Sequence, residues 1–223
     1  MRRTLDLDLH RDQRLGFPEV VYAAGKTAEE CCIAATRLVA AHGRVLVTRC
    51  RPEQLAALRA ALPRGRAHAR SGCFTVGLPA ASLPRIAVVS AGTSDEPVAE
   101  EAELTARMRG CAVLRCPDCG VSGLHRIAAW LPRLRRCAAV VVVAGFEGAL
   151  PSVVGGLIAA PIIAVPTSVG YGAAAGGMTA LHAMLCSCAP GVTVVNIDNG
   201  FGAGFAAARV ARGLRPRTPA GGE

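Results

Sequence analysis

Three kinds of side chain in this chain stand in patterns that could do chemistry: an isolated acid, a glycine-led hydroxyl loop and a thiol at a turn. Glu147 is the only acid between Asp118 and Asp198 and is flanked by apolar residues in AGFEGALP. Burial there would raise its pKa toward a value useful for proton transfer. Gly92-Thr93-Ser94-Asp95 follows an apolar run and opens a helical pattern. Ser94 or Asp95 can therefore cap that helix while neighbouring amides point at an anion. Cys188 lies in SCAPGV, where a helical segment turns into an apolar strand-like run just ahead of NIDNGFG. A thiol at that turn is expected to face a ligand cleft. To act as a nucleophile it must be partly ionised, and a bound cationic substrate could supply the charge that does so.

Other residues read less sharply. Cys116-Pro117-Asp118-Cys119 has the spacing of a redox or zinc pair, but zinc needs a second ligand pair, which His182, Cys186 and Cys188 supply poorly. Within that loop Asp118 stands out, followed at seven and eight residues by His125 and Arg126 in GLHR. Asp198, between Asn196 and Asn199, makes a similar case to Glu147 in weaker form.

These residues need elements to position them. From Arg85 onward, short β-branched apolar runs alternate with helical segments, the mark of βαβ units and a parallel sheet buried on both faces. Strands are predicted over 86–90, 112–115, 139–144, 162–165 and 192–197, and helices over 97–109, 121–136, 150–159, 177–185 and 202–213. The fold class is therefore α/β, a three-layer α/β/α sandwich with a Rossmann-like parallel sheet. Its strand-end loops read SAGTSD, CPDCGVSG, AGFEGALP, PTSVGYG and NIDNGFG, and ligands of open α/β sheets bind where such loops converge. The front of the chain reads as a small α+β domain: a helix over 27–42, a strand over 44–48 and a helix over 52–61. A Pro/Gly-rich stretch ends it, so the domains are 1–82 and 83–214, with a loose tail over 215–223.

Composition sets the outer limits. The 223 residues are 52% hydrophobic, 18% charged and 4% aromatic, which excludes disorder and a coiled coil. The net charge of +9 is uneven, with 14 basic and 7 acidic residues up to Arg85 against 11 and 9 after it. Scattered arginines with almost no aromatics to stack bases do not make a nucleic-acid surface, and an anionic small molecule or a solvated face fits better. Residues 148–197 hold no Asp, Glu, Lys or Arg. Pro151, Pro161, Pro166 and Pro190 cut that stretch below the roughly 20 residues of a membrane span, so it reads as core that also faces other subunits. Ten cysteines with no cleavable leader ahead of them point to a reduced, cytoplasmic setting in which most thiols are small hydrophobes.

Taken together, the stretches RLGFPEVVYAAGKT (14–27), SAGTSDEPVAEEA (90–102), GVSGLHR (120–126), AGFEGALPSVVGGL (144–157), PIIAVPTSVGYG (161–172) and SCAPGVTVVNIDNGFGAG (187–204) resemble the LarB family. These are the pyridinium-3,5-biscarboxylic acid mononucleotide synthases of nickel-pincer cofactor biosynthesis. The second domain also looks like the aminoimidazole ribonucleotide carboxylase and mutase family, three-layer sandwiches that assemble into octamers. The resemblance implies carboxylation of carbon 5 of the pyridinium ring of nicotinic acid adenine dinucleotide by carbon dioxide or bicarbonate, with hydrolysis of the phosphoanhydride to release AMP. It implies no tightly bound cofactor, with Mg²⁺ a candidate aid to hydrolysis that Asp118 could help hold, and no nucleic-acid or membrane partner.

Carried over by position, the resemblance makes Cys188 the nucleophile and Glu147 the group that takes or relays the ring proton. Gly92, Ser94 and Asp95 would hold ribose and phosphate, and Asp118, His125 and Arg126 would orient substrate or water. Gly148, Thr167, Ser168, Gly170 and Asn199 would line the same cleft. Cys119 and Cys186 depart from the family pattern. The competing readings are an aminoimidazole ribonucleotide carboxylase or mutase proper, a non-catalytic nucleotide-binding module, and a thiol redox protein using Cys116 and Cys119.

Overall fold

The computed structural model describes residues 5–214; the tail expected to be loose, from Arg215, lies outside them. The first domain comprises α1 (Arg11–Leu15), β1 (Val21–Tyr22), α2 (Ala28–His42), β2 (Val45–Thr48), α3 (Pro52–Ala61), β3 (Arg66–His68) and β4 (Cys73–Val76). Helix α2 starts where local chemistry says it should. The Thr27 hydroxyl accepts from the Glu30 amide while the Glu30 carboxylate accepts from the Thr27 amide, a reciprocal cap that satisfies two otherwise free donors. The sheet runs β1-β2-β4-β3, with β1 and β2 parallel and the other pairs antiparallel. Only β2 was expected; the other three strands are two to four residues long.

The second domain alternates β5 (Leu83–Ser90), α4 (Glu96–Met108), β6 (Cys111–Cys116), α5 (Leu124–Leu134), β7 (Val140–Ala144), α6 (Leu150–Gly155), β8 (Ile162–Pro166), α7 (Met178–Leu185), β9 (Val192–Val194) and α8 (Gly200–Gly213). All five predicted strands and helices are present. Helix α5 begins and ends inside its expected span, α6 stops at Gly155, and β9 is three residues long. The sheet order is β6-β5-β7-β8-β9, parallel throughout. Strands β7 and β8 are buried throughout, and β5 from Ile86 onward, as the run VVVVA at β7 requires. Helices α5, α6 and α7 cover one face. Alanine-rich α4 and α8 cover the other, and they approach so closely that a Cβ at Gly204 would lie 2.3 Å from the Ala102 carbonyl oxygen.

Chain order passes from β5 to β6 on one side and back across to β7 on the other. The loops after β5 and β7 therefore lead to helices on opposite faces and leave a crevice between them, the switch point at which open α/β sheets bind ligands.

The two domains share helix α4. Three of its four acidic residues reach the first domain, with Glu96 3.7 Å from Arg70, Glu100 3.7 Å from His68 and accepting the Ser71 amide at 3.1 Å, and Glu101 3.4 Å from Arg49. Beside these pairs Phe17, Leu46, Cys73, Leu104 and Met108 form an apolar core at the junction, with Phe201 and Phe205 against it. Part of the front half's basic excess thus faces carboxylates of its own chain. Among the described residues no helix is long and apolar enough to cross a membrane.

Candidate active site

A cleft of 410 Å³ opens at the crevice between β5 and β7, lined by residues 91–95, Asp118 with Gly120, Val121 and Ser122, residues 144–147, Ala149, Leu150 and Val169. Its floor is the turn Thr93–Asp95, a single 3₁₀ turn running straight into the 13-residue α4. Amides at such a helix start favour an anion. Thr93 and Ser94 are exposed.

Asp95 does something other than meet solvent. It is 4% exposed; its Oδ2 accepts the Gly92 amide at 2.9 Å and its Oδ1 accepts the Thr167 hydroxyl at 2.6 Å. Burial pushes its pKa up, opposed by those hydrogen bonds and one from the Gly145 amide. One carboxylate therefore ties together the loops that follow β5, β7 and β8. Thr167 is buried in that knot instead of lining the cleft. Gly145 permits the arrangement, because a Cβ there would lie 2.4 Å from the Val169 carbonyl oxygen and 2.6 Å from Oγ1 of Thr167.

Glu147 lines the cleft but is exposed, not buried. The expectation of burial rested on apolar neighbours. Phe146, however, adopts φ 53°, held by its amide donating to Val169 at 2.9 Å, and the loop turns outward there. Phe146 itself forms a cleft wall, 45% exposed and edge-to-face with Tyr171 at 5.6 Å. Neither aromatic was anticipated; an aromatic ahead of an acid in a glycine-rich strand-end loop was the available signal.

Asp118, also left-handed at φ 54°, lines the opposite wall and pairs with Arg126 at 2.7 Å. Arg126 stands behind it, and His125 is exposed on α5, outside the lining. The Arg126 guanidinium takes Oδ2 of Asp118 and leaves Oδ1 exposed, and among the described residues no three His, Cys, Asp or Glu converge as metal ligands. Gly148 packs on Ala180 of α7, the Ser168 amide donates to Asp198 Oδ1 at 2.8 Å, and Gly170 lies beyond Val169; none of the three lines the cleft. Asn199 caps α8 through the Gly202 amide at 2.7 Å and lines a separate interdomain pocket with Arg49 and Glu101.

The largest correction concerns Cys188. It is exposed, as is Cys186, but it lies outside the cleft lining. It precedes β9, and the neighbouring Gly191 carbonyl accepts the amide of Ile162, the first residue of β8. The cleft lies at the other end, beyond Pro166. In a parallel sheet the residues before and after a strand stand at opposite edges, and five-residue β8 separates those edges by about 13 Å at 3.3 Å per residue. The remaining cysteines are wholly or partly buried. Cys116 and Cys119 are both buried; burial pushes the Cys116 pKa to about 12 and also raises that of Cys119, which disfavours the thiolate a redox couple needs.

Comparison with known proteins agrees with this architecture. Residues 3–78 match a family model described as a LarB/PurE-like N-terminal domain, and residues 85–218 match one described as AIR carboxylase. An uncharacterised protein of Methanocaldococcus jannaschii is 37% identical over 220 residues, covering 93% of this chain and 84% of that protein. A first domain of the LarB type joined to a parallel α/β domain of the AIR carboxylase type makes this chain a carboxylase-type enzyme belonging to the LarB family.

Proposed function

We propose that the protein carboxylates carbon 5 of the pyridinium ring of nicotinic acid adenine dinucleotide and hydrolyses its phosphoanhydride, giving AMP and pyridinium-3,5-biscarboxylic acid mononucleotide, the first step of nickel-pincer cofactor synthesis. The observation that carries the reading is the cleft itself, where an amide-lined helix start suited to phosphate stands across from an exposed carboxylate, Glu147, and an exposed aromatic, Phe146.

A pyridinium ring is too electron-poor to attack carbon dioxide. Thiolate addition at carbon 4 turns it into a dihydropyridine whose carbon 5 is an enamine carbon, and that carbon bonds to carbon dioxide. Glu147 then takes the carbon 5 proton; the released electron pair restores the ring and expels the thiolate with the C–S electrons. The turn at 93–95 holds phosphate, and Asp118, fixed by Arg126, orients substrate or the water that attacks phosphorus. Cys188 is the accessible thiol of the family motif but cannot reach the cleft of its own chain. The reading therefore assigns it to the cleft of a second copy, brought there across the uncharged surface of residues 148–197, in an assembly that is an octamer in the related carboxylases.

The distance of Cys188 from its own cleft also favours a second reading, an aminoimidazole ribonucleotide carboxylase or mutase, which needs no thiol. The two separate in one experiment. Incubation with nicotinic acid adenine dinucleotide and bicarbonate should release AMP and a mononucleotide heavier by one carbon dioxide, and Cys188→Ser should abolish both. Turnover of aminoimidazole ribonucleotide that survives Cys188→Ser would establish the second reading, and binding without AMP release would leave only a nucleotide-binding module.

A further inference from the structure

The first domain has no part in the chemistry above, yet its side chains reach the cleft loops. Arg49 stands one residue beyond β2 at φ 58°, a conformation that a long side chain adopts only when its surroundings enforce it. Its guanidinium is divided between two partners, both in the second domain. Nε faces Oε1 of Glu101 at 3.4 Å, and Nη2 donates to the backbone carbonyl of Asp198. Glu101 is 3% exposed and also accepts the Phe201 amide at 3.2 Å, which anchors the start of α8.

Asp198 is left-handed too, at φ 56°, and its Oδ1 accepts the Ser168 amide. The next residue back, Thr167, donates to Asp95, which holds Gly92. An unbroken series of contacts thus runs from Arg49 through Asp198, Ser168 and Thr167 to Asp95 and the anion-binding turn. Asp198 is joined to the 166–168 segment twice, its amide donating to the Pro166 carbonyl at 2.8 Å and its carboxylate accepting the Ser168 amide, while its own carbonyl accepts both Arg49 and the Gly200 amide, so displacement at Asp198 is passed on to the cleft floor.

We propose that Arg49 is a positioning residue: by holding Asp198 it sets the 167–170 loop and, through Thr167 and Asp95, the turn at 92–95, giving the first domain a role in shaping the cleft. The contact series stands without the proposed function; the effect on turnover rests on it. A guanidinium suits the task because its rigid planar fork presents donors on separate nitrogens to two acceptors at fixed spacing, whereas an ammonium offers all its donors from one nitrogen on a flexible stem.

Arg49→Ala would strand a buried carboxylate and risks misfolding. Arg49→Lys keeps a positive charge beside Glu101 and gives up the fork. Full-length parent and Arg49→Lys are compared by amide hydrogen exchange and by AMP release from nicotinic acid adenine dinucleotide with bicarbonate. Exchange over residues 166–170 and 91–95 should accelerate about tenfold while β7 and β2 stay protected, and kcat/KM should fall about tenfold, mostly in kcat, as loose positioning of reacting groups predicts. A purely structural contact would lower stability and leave both readouts alone. Parent-like exchange over 166–170, or faster exchange with unchanged kcat, overturns the proposal. A parent that releases no AMP defeats the proposed function instead, and the exchange arm then decides alone whether Arg49 holds the loop.

Discussion

Two inactive variants, Cys188→Ala and Glu147→Gln, are expected to restore activity to each other when mixed. Each lacks one of the groups that the carboxylation needs, and within one chain those groups stand at opposite edges of the sheet, separated along β8 by about 13 Å. A cysteine side chain spans only about 3 Å from backbone to sulfur. Loop flexing does not close the remainder, since Cys188 is followed by Pro190 and by a Gly191 carbonyl fixed to Ile162. If the thiol serves a neighbouring copy, each working site draws Glu147 from one chain and Cys188 from another. Unfolding both variants together at equal concentration and refolding allows random assortment; half the glutamates are intact, half the thiols are intact, and about a quarter of sites hold both. The assay is AMP release per total chain, with each variant refolded alone as control. Recovery near a quarter of the parent rate supports the shared site. Recovery no greater than the two controls would show that both groups act within one chain or that the thiol is not used, and turnover by Cys188→Ala alone would dispose of the sulfur chemistry altogether.

Further expectations follow from individual environments. Burial lowers the pKa of His68 below its ordinary 6.5, so the unfolded chain binds the proton more readily than the folded one. Stability should accordingly decline as pH drops through 6.5, and thermal melts of His68→Gln should lose that component of the acid slope. Replacing Asp95 by Asn leaves one acceptor oxygen and puts an amide donor on the other side, against either the Gly92 amide or the Thr167 hydroxyl; an unfolding titration should show a loss of about 1–3 kcal/mol, with KM for the dinucleotide raised. The Cys116→Ala, Cys119→Ala variant should keep its specific activity while losing about 1–3 kcal/mol of stability from deleted core contacts; an inactive but folded product would revive the redox reading. Phe146→Gly removes a left-handed aromatic that costs about 1–2 kcal/mol, so melts should show little net loss while activity falls about tenfold through the missing cleft wall.

The second domain was legible because its strands are buried on both faces and read as unbroken β-branched runs, VVVVA at β7 and IIAVP at β8. The first domain was legible only in part. β3 carries Arg66 and His68, and β1 is two residues long; such segments become strands through pairing with β2 and β4, which no local pattern announces. Glycine, serine and aspartate marked the right strand-end loops for the cleft. They could not mark which residues face inward, as Gly148 and Thr167 show by packing against α7 and Asp95. Cys188 lies away from the cleft because nearness in sequence to NIDNGFG is not nearness in space. Alternation along a parallel sheet already puts the loop before β9 at the far edge.

Backbone strain points to the same place by an independent route. Among the described residues, the non-glycine residues with positive φ are Arg49, Asp118, Phe146 and Asp198, each within four residues of a strand's carboxyl end, at β2, β6, β7 and β9. An aromatic or arginine in this region costs about 1–2 kcal/mol, a cost that turns without a task meet with glycine, as Gly43 does at the end of α2 with φ 68°. Each of the four holds a partner that a relaxed backbone would release: Phe146 the Val169 carbonyl, Asp118 the Arg126 guanidinium, Asp198 the Ser168 amide, Arg49 the Asp198 carbonyl. Because Arg49 and Asp198 lie in different domains yet meet, the strain is concerted across the junction. Glycine at Arg49 relieves strain but strands the buried Glu101 carboxylate, and glycine at Asp198 gives up the Ser168 contact, so each single replacement should lower thermal stability; the double replacement should lower it by less than the sum, since the first already frees the second from the contact that enforces it, and strictly additive melts would mean that the two residues are strained for separate reasons.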